Sequence, residues 1–213
     1  MKRLYTIYAL VLLILFSSCE KRVRTVYEYE KFPVFTWGQV FYFGDCYANY
    51  GIENHVLSLY AFTDSLNVND KGQLEGFGQY IYLDDIYIAP IRLGTDTIIP
   101  AGVYAVSASR EPMTIEPGKV YKGDSIRLKM DIGAQLHYIE KLERFTVRRF
   151  IEDGSMTVSY TDSTIRFDMD FLLDDKTEII GRYETSQLPV FDDSINRESI
   201  RQQILNLLNR NSD

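Results

Sequence analysis

Three kinds of side chain in this sequence are spaced in ways that could support chemistry: paired carboxylates, strand-borne tyrosines, and hydroxyls that follow an aspartate. Asp84 and Asp85 close the stretch "QYIYLDD", Asp168 and Asp170 alternate through "TIRFDMDFLL", and Asp174 and Asp175 stand before Lys176. Two carboxyl groups flanking a bond are the apparatus of glycoside hydrolysis, provided one is desolvated enough to stay protonated. Here the pairs read as turns and wet strand faces. No catalytic residue is assigned, and a glycan-active hydrolase built on Asp84 or Asp168 stands only as an alternative.

The tyrosines point to binding. Of the 16 in the chain, Tyr42, Tyr60, Tyr80 and Tyr82 fall within strand-like runs, and Tyr80 and Tyr82 must share a face. A phenol offers a flat apolar surface with a polar rim, which suits a sugar ring, although sheets are rich in tyrosine for reasons of packing alone. These four are the candidate ligand-binding residues. Metal chemistry has little to stand on: His55 and His137 are far apart, and no H-E-x-x-H, C-x-x-C or G-x-S-x-G string occurs. The stretch "NVNDKGQLEGFG" places Asn67, Asn69 and Gly72 like a calcium loop, but Lys71 and Gly78 occupy positions that need ligands. It reads as a polar hairpin, and neither a metal nor a cofactor is expected.

Five tripeptides share one form, an aspartate, then Ser or Thr, then an apolar residue or Thr, with the hydroxyls at Ser65, Thr97, Ser125, Ser163 and Ser194. Composition alone would give about one. The pattern resembles an O-glycosylation sequon of exported proteins, and it also suits turns that lead into strands.

The N-terminus sets the location. Lys2 and Arg3 precede an apolar run from Leu4 to Phe16, too short for the roughly 20 residues that span a bilayer but right for a secretory signal. The run ends in Leu15-Phe16-Ser17-Ser18-Cys19, which resembles a bacterial lipobox: a bulky residue, two small ones, and the cysteine whose thiol takes the lipid. Cys19 is therefore the expected lipidation site, and an outer-membrane anchor the expected localisation. Cleavage there removes Lys2 and Arg3, leaving 21 Lys and Arg against 30 Asp and Glu, a formal charge of −9. So acidic a chain is no nucleic-acid binder, because phosphate contacts depend on clustered Lys and Arg. Cys46 has no second cysteine to bridge with in the mature chain, and it reads as a small buried hydrophobe.

These residues must be positioned by strands. Runs rich in Val, Ile, Tyr, Phe and Thr, broken by Gly, Pro and Asp, predict strands at 39–44, 55–63, 78–88, 103–109, 125–130, 135–150 with a break, 155–160, 164–173 and 178–185. Pro117-Gly118 suits a type II turn and Asp153-Gly154 a hairpin. Trp37 reads as a core plug. In the strand 164–173, Ile165, Phe167, Met169 and Phe171 take one face and Arg166, Asp168 and Asp170 the other. Only the C-terminus has a helical period, with Ile200, Ile204, Leu207 and Leu208 on one stripe of a helix over 197–210. The expected organisation is a signal peptide at 1–18, a tether at 19–35 joining a sheet edge near Val26 to Tyr29, a β-domain at 36–186 and a C-terminal segment at 187–213. The fold class is all-β, an antiparallel β-sandwich, with a lipocalin-like barrel as the alternative.

The lipobox, the Asp-Ser/Thr tripeptides and the strings "IIPAGVYAV" and "EDGSMTVSYTDSTIRFDMDFLLDDKTEIIGRYE" together resemble the small lipoproteins of Bacteroidota. That resemblance implies an exported, lipid-anchored β-protein and no particular activity. The expected function is a non-catalytic binding or structural module of the cell envelope, with a glycan or an envelope protein as partner and the membrane reached through the N-terminal lipid. The alternatives are the hydrolase above and a carrier of a small apolar ligand.

Overall fold

The computed structural model describes residues 30–70, 72–122, 129–140 and 146–194. The strands are β1 (Val34–Gly44), β2 (His55–Thr63), β3 (Leu66–Val68), β4 (Leu74–Gly76), β5 (Gly78–Ile88), β6 (Gly102–Val106) and β7 (Thr114–Ile115). They continue as β8 (Lys119–Lys122), β9 (Lys129–Ile132), β10 (Gln135–Ile139), β11 (Thr146–Tyr160), β12 (Ile165–Leu173), β13 (Glu178–Thr185) and β14 (Val190–Asp192). The chain is all-β over these residues, and no helix among them is long and apolar enough to cross a membrane. The C-terminal helix expected at 197–210, Ser125, Cys19 and the edge segment Val26 to Tyr29 lie outside the described residues.

The sheet closes on itself, which corrects the sandwich expectation. Pairing runs β1-β2-β5-β7-β6-β11-β12-β13 and returns to β1, an eight-stranded circuit. β5 and β11 are long enough to reach across the same gap twice: β7 and β6 fill it at one end and β10 at the other. The seam is a parallel pair, with Val34 opposite Arg182 and Phe35 opposite Tyr183. There the Ile180 amide donates to the Lys31 carbonyl at 2.8 Å and the Arg182 amide to the Pro33 carbonyl at 3.1 Å. A sandwich and a barrel need the same alternation along each strand, so period alone could not separate them. What separates them is the pairing of two segments almost 150 residues apart, and half of that pair falls in what reads as tether.

Alternation then sends one set of side chains inward. Leu57, Leu59 and Ala61 of β2, Ile81, Leu83 and Ile86 of β5, and Phe167, Met169, Phe171 and Leu173 of β12 are all sealed from solvent. Phe35, Tyr104 and Tyr183 are equally buried and fill the interior with large rings. Gly181 makes this packing possible at the seam, since a Cβ there would lie 2.8 Å from the Phe35 ring. Alternation expected in 164–173 is present: Ile165, Phe167, Met169 and Phe171 are in, and Arg166, Asp168 and Asp170 are out.

Several local expectations change. Asp153-Gly154 is not a hairpin but the middle of β11, where the register to β12 shifts between Ile151 and Asp153. Gly154 takes φ of +113°, and a Cβ on it would sit 2.1 Å from the Asp170 carbonyl oxygen. Gly118 lacks the positive φ of a type II turn and serves close approach to the Ala134 carbonyl. Trp37 is no core plug: it stands on the outer face, stacked on Phe62 at 3.9 Å, with its indole N–H donating to the Leu66 carbonyl at 2.7 Å. The segment around Asn69 is the hairpin β3–β4, tied by Asn69 Nδ2 donating to Glu75 at 2.7 Å.

Because Gly154 has both a positive φ and no room for a side chain, Gly154→Ala is expected to lower unfolding stability by roughly 1–3 kcal/mol. Urea denaturation measures it, and a loss below about 0.5 kcal/mol would contradict this account of β11.

Candidate functional site

With the interior occupied by side chains, the outer face carries the groups that remain available. It has two distinct regions. On β1, β2, β5 and β10, a row of rings crosses four strands in register: Trp37, Phe62, Tyr80 and His137. Phe62 stacks on Tyr80 at 5.3 Å and Tyr80 on His137 at 4.5 Å. Beside it Tyr60 stacks on Tyr82 at 4.3 Å, and Phe41 meets Phe191 at 5.3 Å. Of the four candidate tyrosines, Tyr60, Tyr80 and Tyr82 therefore come together outside. Tyr42 does not: it points into the barrel, with its hydroxyl 2.7 Å from His55 Nδ1.

These tyrosines are not the open platform expected of them. Rings that stand on neighbouring strands and stack face to face use their π surfaces on each other. Burial holds the His137 imidazole neutral, pushing its pKa down to about 4.

Asp84 and Asp85 are also placed differently from expectation, in a bulge inside β5 rather than at a wet strand end. The register between β2 and β5 shifts opposite Ser58, and Asp85 takes φ of +58°. Both residues are buried, at 7% and 6% exposure. Ser58 donates to Asp84 at 3.0 Å, and the Tyr47 hydroxyl donates to Asp85 at 2.7 Å. The loop carrying Tyr47 also packs Cys46 half-buried against Phe43, Val56 and Tyr87, as a small hydrophobe. Asp174 and Asp175 lie near Arg149, whose Nε is 3.0 Å from Asp175.

The second region is a groove of about 420 Å³ on the outside of β11, β12 and β13. Cross-strand register brings two rows together there: Ile180, Asp170 and Ser155, then Arg182, Asp168 and Thr157. Phe32, Pro33 and Val34 form its wall, with Phe32 67% exposed and Val34 64%. Asp168 accepts from Arg166 Nη2 at 2.8 Å and from Arg182 Nε at 3.0 Å. Those two guanidinium groups hold its carboxyl below the usual carboxylate range, Arg166 the more strongly. It stays ionised, so it cannot act as the protonated acid that hydrolysis of a glycoside requires.

Sequence reading found Asp168 and Asp170 but missed Arg182, Ser155, Thr157 and Phe32. Their only signal is strand register, and Phe32 sits in what reads as tether. Of the hydroxyls after aspartate, Ser65, Thr97 and Ser163 are exposed, and Ser194 is half-buried with its Oγ donating to Asp192 at 2.7 Å. No family model, curated protein or solved structure matches this chain.

The lowered pKa of His137 fixes a pH dependence. The unfolded chain takes up this proton near pH 6.5 and the folded chain only near 4, so stability is whole above about 6.5 and falls as pH drops towards 4. His137→Phe keeps a ring on Tyr80 and is expected to remove up to about 3 kcal/mol of the acid-side loss. Denaturation curves between pH 4 and 7 measure it, and an unchanged slope would contradict a buried neutral imidazole.

Proposed function

We propose that this chain is a lipid-anchored, non-catalytic binding module of the bacterial outer membrane, acting through the outer surface of a β-barrel. The observation that carries the reading is the packed interior: Phe35, Tyr104, Phe167, Phe171 and Tyr183 are at most 1% exposed inside the circuit. A lipocalin-like carrier uses the same closure, but it needs the space that these rings fill. Asp168 is held ionised by its arginines, which takes from it the acid's role in a hydrolase. Recognition therefore falls to exposed groups.

The anchor follows from the lipobox at Cys19. Ten residues lie between it and Glu30, and the eleven steps from one to the other reach at most about 40 Å at 3.3–3.6 Å per residue. The barrel thus works close to the bilayer. Several acyl chains acting together make the attachment stable, each buried methylene contributing about 0.8 kcal/mol. The exposed hydroxyls of Ser65, Thr97 and Ser163 are open to the O-linked sugars that their tripeptides suggest.

Cys19→Ser tests the anchor. The wild-type chain is expected in the detergent-soluble membrane fraction and the variant in the aqueous fraction after alkaline washing; tight membrane association of the variant would overturn the anchoring.

A further inference from the structure

We infer that the groove on β11, β12 and β13 is a binding site for an uncharged saccharide, an inference that rests on the reading of the outer surface as the binding surface. The groups in the groove fall into two classes. Arg182 is fixed through Nε by Asp168, which leaves its two terminal nitrogens as oriented donors. Among the described residues the Asp170 carboxylate and the Ser155 and Thr157 hydroxyls make no side-chain hydrogen bond or ion pair. Donor, acceptor and dual-purpose groups thus stand within two adjacent cross-strand rows. Vicinal sugar hydroxyls, each both donor and acceptor, match such a set, and a carboxylate and a guanidinium each engage two of them.

The wall supplies the other half of the recognition. Phe32 is 67% exposed and is no member of the stacked rows on the opposite face, so its ring is available to the C–H face of a pyranose. Val34 and Ile180 extend this apolar side. Beyond Phe32 and Ile180 a second depression of about 240 Å³ continues towards Lys31 and Thr177. The first groove alone lies within the roughly 300–1,000 Å³ of small-molecule sites. Together they suit an oligosaccharide laid across Phe32.

Charge and edges exclude other ligands. The groove's own lining carries Asp168, Asp170 and Arg182, a net charge of −1, with Arg166 paired to Asp168 just outside it, so a polyanion is disfavoured there. β12 is hydrogen-bonded on both sides, by β11 and β13, which leaves no strand edge there for a peptide to extend.

The test uses the full chain in detergent, titrated calorimetrically with neutral gluco-, manno- and xylo-oligosaccharides and with an oligogalacturonate as charged counterpart. At least one neutral oligosaccharide is expected to bind, and Phe32→Ala and Asp170→Asn are each expected to weaken it about 10-fold or more. Both residues are exposed, so folding should survive, which circular dichroism verifies. Phe191→Ala, on the far face, is the control expected to bind as wild type. Absence of neutral-sugar binding up to about 10 mM, preference for the oligogalacturonate, or wild-type binding by both groove variants would each overturn the inference. Binding is read in solution, so a sugar-binding chain that fails to anchor removes the membrane proposal and leaves this one standing, and an anchored chain that binds no sugar does the reverse.

Discussion

Everything in this molecule depends on a short parallel seam. Where β1 begins, the carbonyls of Lys31 and Pro33 accept the amides of Ile180 and Arg182, and an open sheet becomes a closed one. Closure removes the two free edges that would otherwise invite pairing with other chains. It also gives the inward residues a single enclosed space to fill. Just before the seam, the Glu30 backbone is held by the Gln79 side chain of β5, whose Nε2 donates to the Glu30 carbonyl at 3.2 Å. The entering chain is thus fastened to two sides of the barrel within a few residues. The same segment carries the exposed Phe32 and Val34, so the device that closes the barrel also builds one wall of its groove.

A filled interior changes what the outer surface must do. On one side, the rows from Trp37 to His137 and from Tyr60 to Tyr82 spend their ring faces on one another, and they stiffen β1, β2, β5 and β10 as a unit. On the other side, Asp168 spends its charge on orienting Arg166 and Arg182, and among the described residues Asp170, Ser155 and Thr157 make no side-chain hydrogen bond or ion pair. The aromatic face is packed against itself, and the groove keeps its polar groups at the surface. The buried pair Asp84 and Asp85 belongs with the first: hydrogen bonds from Ser58 and Tyr47 tie the bulge of β5 to β2 and to the loop above it.

Much of the fold was legible from period and composition. β2, β5 and β13 span the residues that their composition predicts, and β12, the strand with the clearest alternation, begins one residue later than predicted. What alternation cannot report is which strands meet at long range. Closure depends on residues 31–35, whose charge and proline read as a tether. Bulges were hidden for a related reason: the strand over 78–88 is legible as a whole, but nothing in "LDDIY" announces that Asp85 takes a left-handed backbone and bulges within it. "EDGS" looked like a hairpin because Gly154 allows one, when its positive φ serves a bulge in β11 instead. That Tyr80 and Tyr82 share a face follows from their spacing, whereas the inward turn of Tyr42 and the outward one of Tyr60 do not. Their stacking follows from cross-strand register, which also decides that Arg182 faces Asp168.

Amide hydrogen exchange at the seam tests the closed barrel most directly. If β1 and β13 are paired, the amides of Ile180 and Arg182 are protected to the same degree as those in the middle of β12. Exchange of these two amides at the rate of an open sheet edge, with β12 still protected, would mean that the sheet is not closed, and the sealed interior and the wall at Phe32 would go with it.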